Sequence, residues 1–481
     1  MFATTSNGDV RGAVADGVSQ FLGIPYGEPP VGALRFAAPV PRSPWSGVFD
    51  ATVHGPRPPQ PAMVTVFDSG ADLGPMDEDC LRVNIYTPSV DGRRPVMVWF
   101  HGGGLAFGSA NEYDGSNLAR GNDVVVVTVG FRLGLLGFAD LGPCGSEFMG
   151  SASNGFRDQI LALEWVRTNI SAFGGDPGNV TVFGQSGGGL SILALLGAPS
   201  ADGLFHRAIV LSAGPPQPEP PEVVSILGGT LDVEPADLPQ RLRELTVERI
   251  IDLQQGIGFT AGGSVDGTVV TRFPVDAILH HGAHGVPIVI GTTRDEGTLL
   301  TSMMAGLRPA VLRIIAEGLA RGTFEGADPG SYLARLGAIV DDDTELHTRV
   351  WTDHFRRTAT RVAEAACEAG PGGWLYRFDL EPTGALAGEL GVTHAADLGF
   401  VFDTLRPSGG PDLYDTTLPG VHVVADRWSA TLASFARHGH PNEYQPEWHQ
   451  HLPNRTCLIV SYDDRVEHDL DRDLQQAWGD R

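Results

Sequence analysis

The stretch Val180-Thr181-Val182-Phe183-Gly184-Gln185-Ser186-Gly187-Gly188-Gly189 sets the reading of the whole chain. Residues Val180 to Phe183 alternate β-branched and aromatic side chains as a strand does, and the run from Gly187 to Leu196 reads as the helix that follows. Between them lies G-x-S-x-G, centred on Ser186. A serine on so tight a strand-to-helix turn is held in strained backbone, with its hydroxyl lifted clear of the sheet edge, where a nucleophile belongs. Gly184 and Gly188 are then steric requirements, because side chains two residues to either side would collide with the turn. Any Gly-rich turn can contain a serine; the strand before this one and the helix after it favour the nucleophile.

Working outward, Pro95 to Phe100 is a continuous apolar run that stops at His101-Gly102-Gly103-Gly104, and Asp123 to Val129 is another, ending near Arg132. Continuous rather than alternating runs suit parallel strands covered on both faces. Asn154 to Phe173 carries Phe156, Ile160, Leu163, Val166 and Ile170 at helical spacing. Strand, helix, strand, turn, helix is the rhythm of a doubly wound α/β sheet. Arg207 to Ser212, Val286 to Gly291, Trp374 to Asp379 and Cys457 to Tyr462 extend the set of strands, and Glu78 to Pro88 reads as a turn into a strand. The expectation is one α/β unit over 1–481, with helical insertions at about 215–284 and 299–371 forming pocket walls and lid. The run Asp341-Asp342-Asp343 makes an acidic start to the helix containing Trp351 and Phe355.

The 481 residues carry a net charge of -25, and every one of the 33 basic residues is arginine. That balance argues against nucleic acid or an anionic membrane surface as a partner, since both need clustered positive charge. It also disfavours polyanionic substrates, and the lack of lysine removes Schiff-base chemistry. Cys80, Cys144, Cys367 and Cys457 are scattered with no C-x-x-C spacing, so no zinc or redox motif is present. The N-terminus has no charged segment followed by an apolar run, and Val124 to Val129 is far too short to span a bilayer. A soluble, cytoplasmic protein is expected.

A serine hydroxyl attacks a carbonyl only with a base in reach, a carboxylate to fix that base, and N–H groups aimed at the developing oxyanion. His101-Gly102-Gly103-Gly104 follows an apolar strand and supplies the last of these. Its Gly103 and Gly104 amides are the candidate donors, joined by that of Gly187 at the helix start. A phosphate-gripping loop is excluded by the missing Lys and Ser/Thr of a P-loop. Thr293-Arg294-Asp295-Glu296-Gly297 follows a strand, at the end where catalytic loops collect; from residue types alone Asp295 and Glu296 are equally good acids. Among fifteen histidines, His280, His281 and His284 read as a helix end, His438 and His440 as a turn, and His449 and His451 as a surface loop. His394 lies between a strand and an apolar segment and is the best of several candidates for the base.

These residues resemble the type B carboxylesterase family, which includes bacterial para-nitrobenzyl esterases and the cholinesterases. The likeness runs from Val10-Arg11-Gly12 to Gly439-His440-Pro441-Asn442 and is most specific in the first two hundred residues. It implies an α/β-hydrolase fold with a Ser-Glu-His triad, placing the acid at Glu296 and the base at His394 beside Ser186, with no cofactor and no metal. It also implies a supporting serine at Ser212, next to Glu296, and two ion pairs, Arg35 with Glu78 and Arg132 with Asp176. The chain departs from the family at Gly187, where alanine is common and glycine allows a looser turn, and at Ala395, where glycine usually follows the histidine. Leu105 stands where an aromatic residue often follows the three glycines, changing the expected pocket wall. Cys80 matches a disulfide cysteine of secreted relatives, but no cysteine precedes it to pair with. No counterpart of the cholinesterase tryptophan is visible, which disfavours choline esters. The implied activity is hydrolysis of a small-molecule carboxylic ester through an acyl-enzyme. The same machinery would serve a carbamate, amide or lactone, and a non-catalytic binding protein on this fold is the remaining alternative.

Overall fold

The computed structural model describes residues 1–62, 73–281, 285–323, 329–340, 342–405, 413–470 and 478. His284 and Asp341 lie outside them. The strands, in chain order, are β1 (Phe2–Thr5), β2 (Gly8–Arg11), β3 (Ala13–Ala15), β4 (Val18–Pro25), β5 (Val48–Asp50), β6 (Arg82–Thr87), β7 (Arg94–Phe100), β8 (Val125–Val129), β9 (Gly175–Gln185), β10 (Arg207–Leu211), β11 (Ile288–Thr293), β12 (Gly373–Phe378), β13 (Thr456–Val460) and β14 (Arg465–His468). A small sheet joins β1, β2 and β5; the main sheet runs β14-β13-β12-β11-β10-β9-β7-β8-β6-β4-β3. Its centre, from β8 through β7 and β9 to β13, is parallel, while both flanks are antiparallel.

The unbroken apolar runs mark this parallel centre because each strand feeds two cores. On β7, Val96, Val98 and Phe100 enter the core on one face, while Met97 and Trp99 enter the core on the other, all fully buried. The first core takes Phe156, Leu163 and Val166 from helix Asn154–Asn169, which continues as a 3-10 turn to Phe173, and Ile192 to Leu196 from helix Gly187–Leu196. The second takes Val421, Val424, Trp428 and Leu432 from helix Pro419–His438. The last predicted strand is followed by one more, β14, whose partly exposed residues lack an apolar run.

Segment 215–284 contributes helices Val224–Leu231, Leu238–Glu244, Val247–Gly256 and Pro274–His281; the first three pack on Phe36, Leu135 and Leu136. Segment 299–371 contributes the 27-residue helix Asp343–Ala369. Asp342 caps it by accepting from the amides of Thr344 and Glu345 at 2.7 and 2.8 Å, satisfying N–H groups that no helical carbonyl can reach. None of the described helices is long and apolar enough to cross a membrane.

The expected Arg35–Glu78 pair forms, buried and bidentate, with Arg35 Nε donating to Glu78 Oε2 at 2.8 Å. The expected Arg132–Asp176 pair does not. Arg132 instead donates to Asp158 through Nε at 2.9 Å and Nη2 at 2.7 Å, and Asp176 accepts from Arg93 at 2.9 Å. Topology is the reason: Arg132 follows the C-terminal end of β8 whereas Asp176 opens β9, which runs in the same direction one strand away across β7. The two therefore sit at opposite edges of the sheet. All four cysteines, Cys80, Cys144, Cys367 and Cys457, are free. His451, expected on a surface loop, is buried and bonded through Nδ1 to the Thr456 carbonyl at 2.9 Å. Removing one partner of a buried pair costs about 3–5 kcal/mol, against about 0–1 for an exposed one. Asp158→Ala is therefore expected to lose several kcal/mol in denaturant unfolding and Asp176→Ala less than about 1 kcal/mol; equal losses would refute the assignment.

Candidate active site

The parallel centre of the sheet collects the loops after β7, β9, β11 and β12 at one edge. After β9, Ser186 has φ 55° and ψ -120°, a conformation that costs a non-glycine residue about 1–3 kcal/mol and persists only where the surroundings enforce it. The flanking glycines show how they do so. A Cβ on Gly188 would lie 1.8 Å from the Phe100 carbonyl oxygen, and one on Gly184 would lie 2.7 Å from the backbone of Gly188. No larger residue fits either place.

After β7, the chain turns through Gly103 (φ 107°) and Gly104 (φ 57°). Among the described residues, the amides of Gly103, Gly104 and Gly187 have no hydrogen-bond acceptor. His101 anchors this loop: it is buried, stacks on Phe131 at 4.5 Å, and directs Nδ1 to the Gly102 carbonyl at 2.8 Å. Burial drives its pKa down to about 4, so it stays neutral and serves the loop's shape. Gly187 packs close against the loop that follows β7. A Cβ there would lie 2.9 Å from the amide nitrogens of Gly104 and Leu105, so the glycine admits a closer approach of the loop than alanine would. Leu105 has φ 60° and only 1% exposure. Its side chain turns into the core toward Gly263 and does not line the cavity, which corrects the expected pocket role; Phe107 is on that wall instead.

After β11, Asp295 and Glu296 take different parts. Asp295 is a clamp: its amide donates to the Val392 carbonyl at 2.9 Å, its carboxylate accepts from the Val392 amide at 3.0 Å, and Arg294 pairs with it at 2.9 Å. Glu296 points the other way, fully buried, accepting from the Thr293 amide at 2.7 Å on Oε1 and meeting His394 Nδ1 at 2.5 Å on Oε2. Gly297 is needed because the long helix crosses there; a Cβ would lie 1.8 Å from the Thr348 carbonyl oxygen. Ser212 does not support Glu296 as expected. Its hydroxyl is buried and makes no hydrogen bond among the described residues, while Thr293 and His394 engage the two carboxylate oxygens. His394 directs Nε2 to within 3.0 Å of Gln185 Nε2, and its ring stacks on Phe355 at 4.9 Å with 23° between planes.

Ser186, Gly103, Gly104, Gly187, Gln185 and His394 border one cavity of about 1270 Å³. Its walls include Pro215 to Glu219 and Ala261 from the first insertion, and Leu299, Met303, Leu319, Trp351 and Phe355 from the second. Sequence reasoning missed Gln185, Phe355 and Asp397. The first two carry no signal beyond sitting beside a motif or on a helix face. Asp397 lies three residues past His394 and is fully buried, held by Tyr376 Oη at 3.1 Å.

A serine elbow at the carboxyl edge of a mostly parallel sheet, facing a buried acid–histidine pair, is the layout of an α/β hydrolase. The "Carboxylesterase family" profile matches residues 1–312. The chain is 35% identical to the para-nitrobenzyl esterase of Bacillus subtilis over 98% of this chain and 97% of that one, and 34% identical to the phenmedipham hydrolase of Pseudarthrobacter oxydans over the same shares. Among solved structures, a PNB esterase superposes with a TM-score of 0.88 at 32% identity, covering 100% of both chains, and a Geobacillus stearothermophilus carboxylesterase with 0.86 at 32% identity, covering 99% of both. The chain belongs to the carboxylesterase family and is a serine carboxylesterase.

Burial, and after it the charge of Glu296, push the Asp397 carboxyl up from 3.8 to about 6. A raised acid pKa means the folded chain holds a proton that the unfolded chain has lost, so this group's stabilisation is complete below pH 3.8 and is lost as pH rises through about 6. The shift corresponds to about 3 kcal/mol. Asp397→Asn, which cannot ionise, should gain on the parent protein by about that amount between pH 4 and pH 7.5 in unfolding measurements. A difference independent of pH would show that Asp397 is not held protonated by the fold.

Proposed function

We propose that Ser186, His394 and Glu296 form the triad of this ester hydrolase. His394 Nε2 takes the proton of the Ser186 hydroxyl as Oγ attacks the ester carbonyl. Glu296 holds the ring by Nδ1–H and balances the imidazolium that forms. Negative charge gathers on the carbonyl oxygen, where the amides of Gly103, Gly104 and Gly187 converge; each such donor is typically worth about 10²–10³ in rate. The imidazolium then protonates the departing alcohol. Water, deprotonated by the same Nε2, releases the acid and frees Ser186. The supporting observation is the 2.5 Å contact of Glu296 with His394 Nδ1, made inside a protein core where an unpaired carboxylate would be costly.

The cavity favours bulky, uncharged or cationic esters. At about 1270 Å³ it exceeds the usual range of small-molecule pockets. Among its described lining residues the fixed charges are Glu112 and Glu219, with no arginine to hold an anion. The same machinery would open a carbamate or an amide, where a more stable acyl-enzyme or a poorer leaving group slows turnover.

Ser186→Ala should abolish the burst of p-nitrophenol that marks acylation while leaving the fold intact; a burst of parental size in this variant would end the proposal. For paired p-nitrophenyl esters of matched acyl length, one neutral and one ending in a carboxylate, kcat/KM should favour the neutral ester by at least about tenfold. Parity between them would show that the acidic lining does not reach the acyl group.

A further inference from the structure

Gln60 stands well before the triad in the chain, yet it holds the loop that carries two of the oxyanion amides. Arg57-Pro58-Pro59-Gln60-Pro61 is a stiff strut, because each proline fixes its own φ and biases the residue before it toward extended backbone. Arg57 anchors the strut: its amide donates to the Pro75 carbonyl at 2.9 Å and its carbonyl accepts from the Asp77 amide at 3.1 Å. Prolines have no N–H to offer a neighbouring segment, and the buried Gln60 side chain supplies what they lack. Its Nε2 donates to the carbonyls of Pro58 and Gly108, both at 2.9 Å, and its Oε1 accepts from the Gly108 amide at 2.8 Å. Both polar groups of the Gly108 backbone are thus met by one side chain, as a neighbouring strand would meet them.

Gly108 closes the loop that begins at His101. A Cβ on it would lie 2.6 Å from the Gly102 carbonyl oxygen and 2.6 Å from His101 Nδ1, and one on Gly103 would lie 2.0 Å from the Phe107 carbonyl oxygen. The two ends of the loop are therefore packed tightly together. A trans peptide unit is planar, with its C=O and N–H pointing opposite ways, so whatever grips the carbonyl aims the amide. His101 donates from Nδ1 to the Gly102 carbonyl at 2.8 Å, which fixes the peptide unit bearing the Gly103 amide. The amides of Ala106 and Phe107 donate to the Gly103 carbonyl at 3.0 and 3.1 Å, which fixes the unit bearing the Gly104 amide. The first grip lies against Gly108 and the second comes from the residues just before it.

We propose that Gln60 is a positioning residue for the oxyanion hole: through Gly108 it keeps the amides of Gly103 and Gly104 aimed at the ester's carbonyl oxygen as charge gathers there. The inference rests on the reading of those amides as oxyanion donors. Gln60 acts through the loop and not on the ester, so its contribution falls on the charged transition state. The uncharged ester binds without it.

Gln60→Met, which removes the three hydrogen bonds at similar volume, tests this. A misplacement of about 1 Å can cost about 10² in rate, so kcat for a p-nitrophenyl ester should fall by about tenfold or more, with KM within about threefold of the parent's. A pair of inhibitors sharing one carbon skeleton, a trifluoromethyl ketone and a methyl ketone, separates positioning from general damage. Ser186 Oγ adds to the activated carbonyl carbon of the first, its proton passes to His394, and the former carbonyl oxygen becomes an oxyanion in the hole. The methyl ketone binds without that addition. Gln60→Met should weaken the trifluoromethyl ketone by about the same factor as kcat/KM and leave the methyl ketone within about threefold of the parent's affinity. Equal weakening of both ketones, or a kcat equal to the parent's, would overturn the proposal. If Gln60→Met does not fold, Gln60→Asn, whose amide is one methylene short of Gly108, is read in the same way. Failure of both variants to fold would also overturn it, by assigning Gln60 to the fold as a whole. Failure of the underlying reading looks different: Ser186→Ala would keep its burst, or the parent would bind the trifluoromethyl ketone no more tightly than the methyl ketone, whatever the Gln60 variants do.

Discussion

The contact between Glu296 and His394 is the constraint around which the rest of the site is arranged. A carboxylate with no solvent exposure is tolerable only with its oxygens engaged. One oxygen accepts the Thr293 amide at 2.7 Å and the other meets the imidazole. Holding the two loops in register falls to neighbours. Asp295 ties the acid loop to Val392, and the Thr298 hydroxyl bridges to Leu390 and Thr393. The Thr352 hydroxyl, on the long helix, accepts from the Gly297 amide at 3.0 Å. His394 and Ser186 border one cavity because β9, β11 and β12 run parallel and deliver their loops to one edge.

The long helix Asp343–Ala369 links folding to chemistry. Its Ala359, Val362 and Ala363 bury against the sheet, while Phe355, a turn earlier, lies flat on the imidazole and Trp351 borders the cavity. A sheet-covering helix thus also sets one face of the His394 ring. Tyr376 on β12 plays a comparable part from beneath, donating to Asp397 in a pocket where Glu296 already places a negative charge. The site accommodates two neighbouring carboxyl groups because the fold pushes one of them toward its neutral form.

Much of this was legible from the chain. Unbroken apolar runs such as Pro95 to Phe100 announced buried parallel strands, because both faces of those strands meet protein. G-x-S-x-G announced the elbow, because glycine alone fits within 2–3 Å of the neighbouring backbone there. Glycines 103 and 104 announced a loop that could bare its amides. The choice of Glu296 over Asp295 came from family likeness and not from residue type. The structure separates them physically: the Asp295 carboxylate accepts from the Val392 amide, and the Glu296 carboxylate meets His394.

What the sequence determined by itself was whatever depends on local pattern: strand periodicity, steric need for glycine, a capping aspartate. Tertiary structure decided everything that depends on two distant segments meeting. It sent Arg132 to Asp158 instead of Asp176, because parallel strands put those positions at opposite sheet edges. It turned Leu105 into the core at a positive φ, left the Ser212 hydroxyl without the acid it was expected to support, and set the Gln185 amide against His394. Such contacts are fixed by strand order and crossing helices, and no spacing along the chain encodes them.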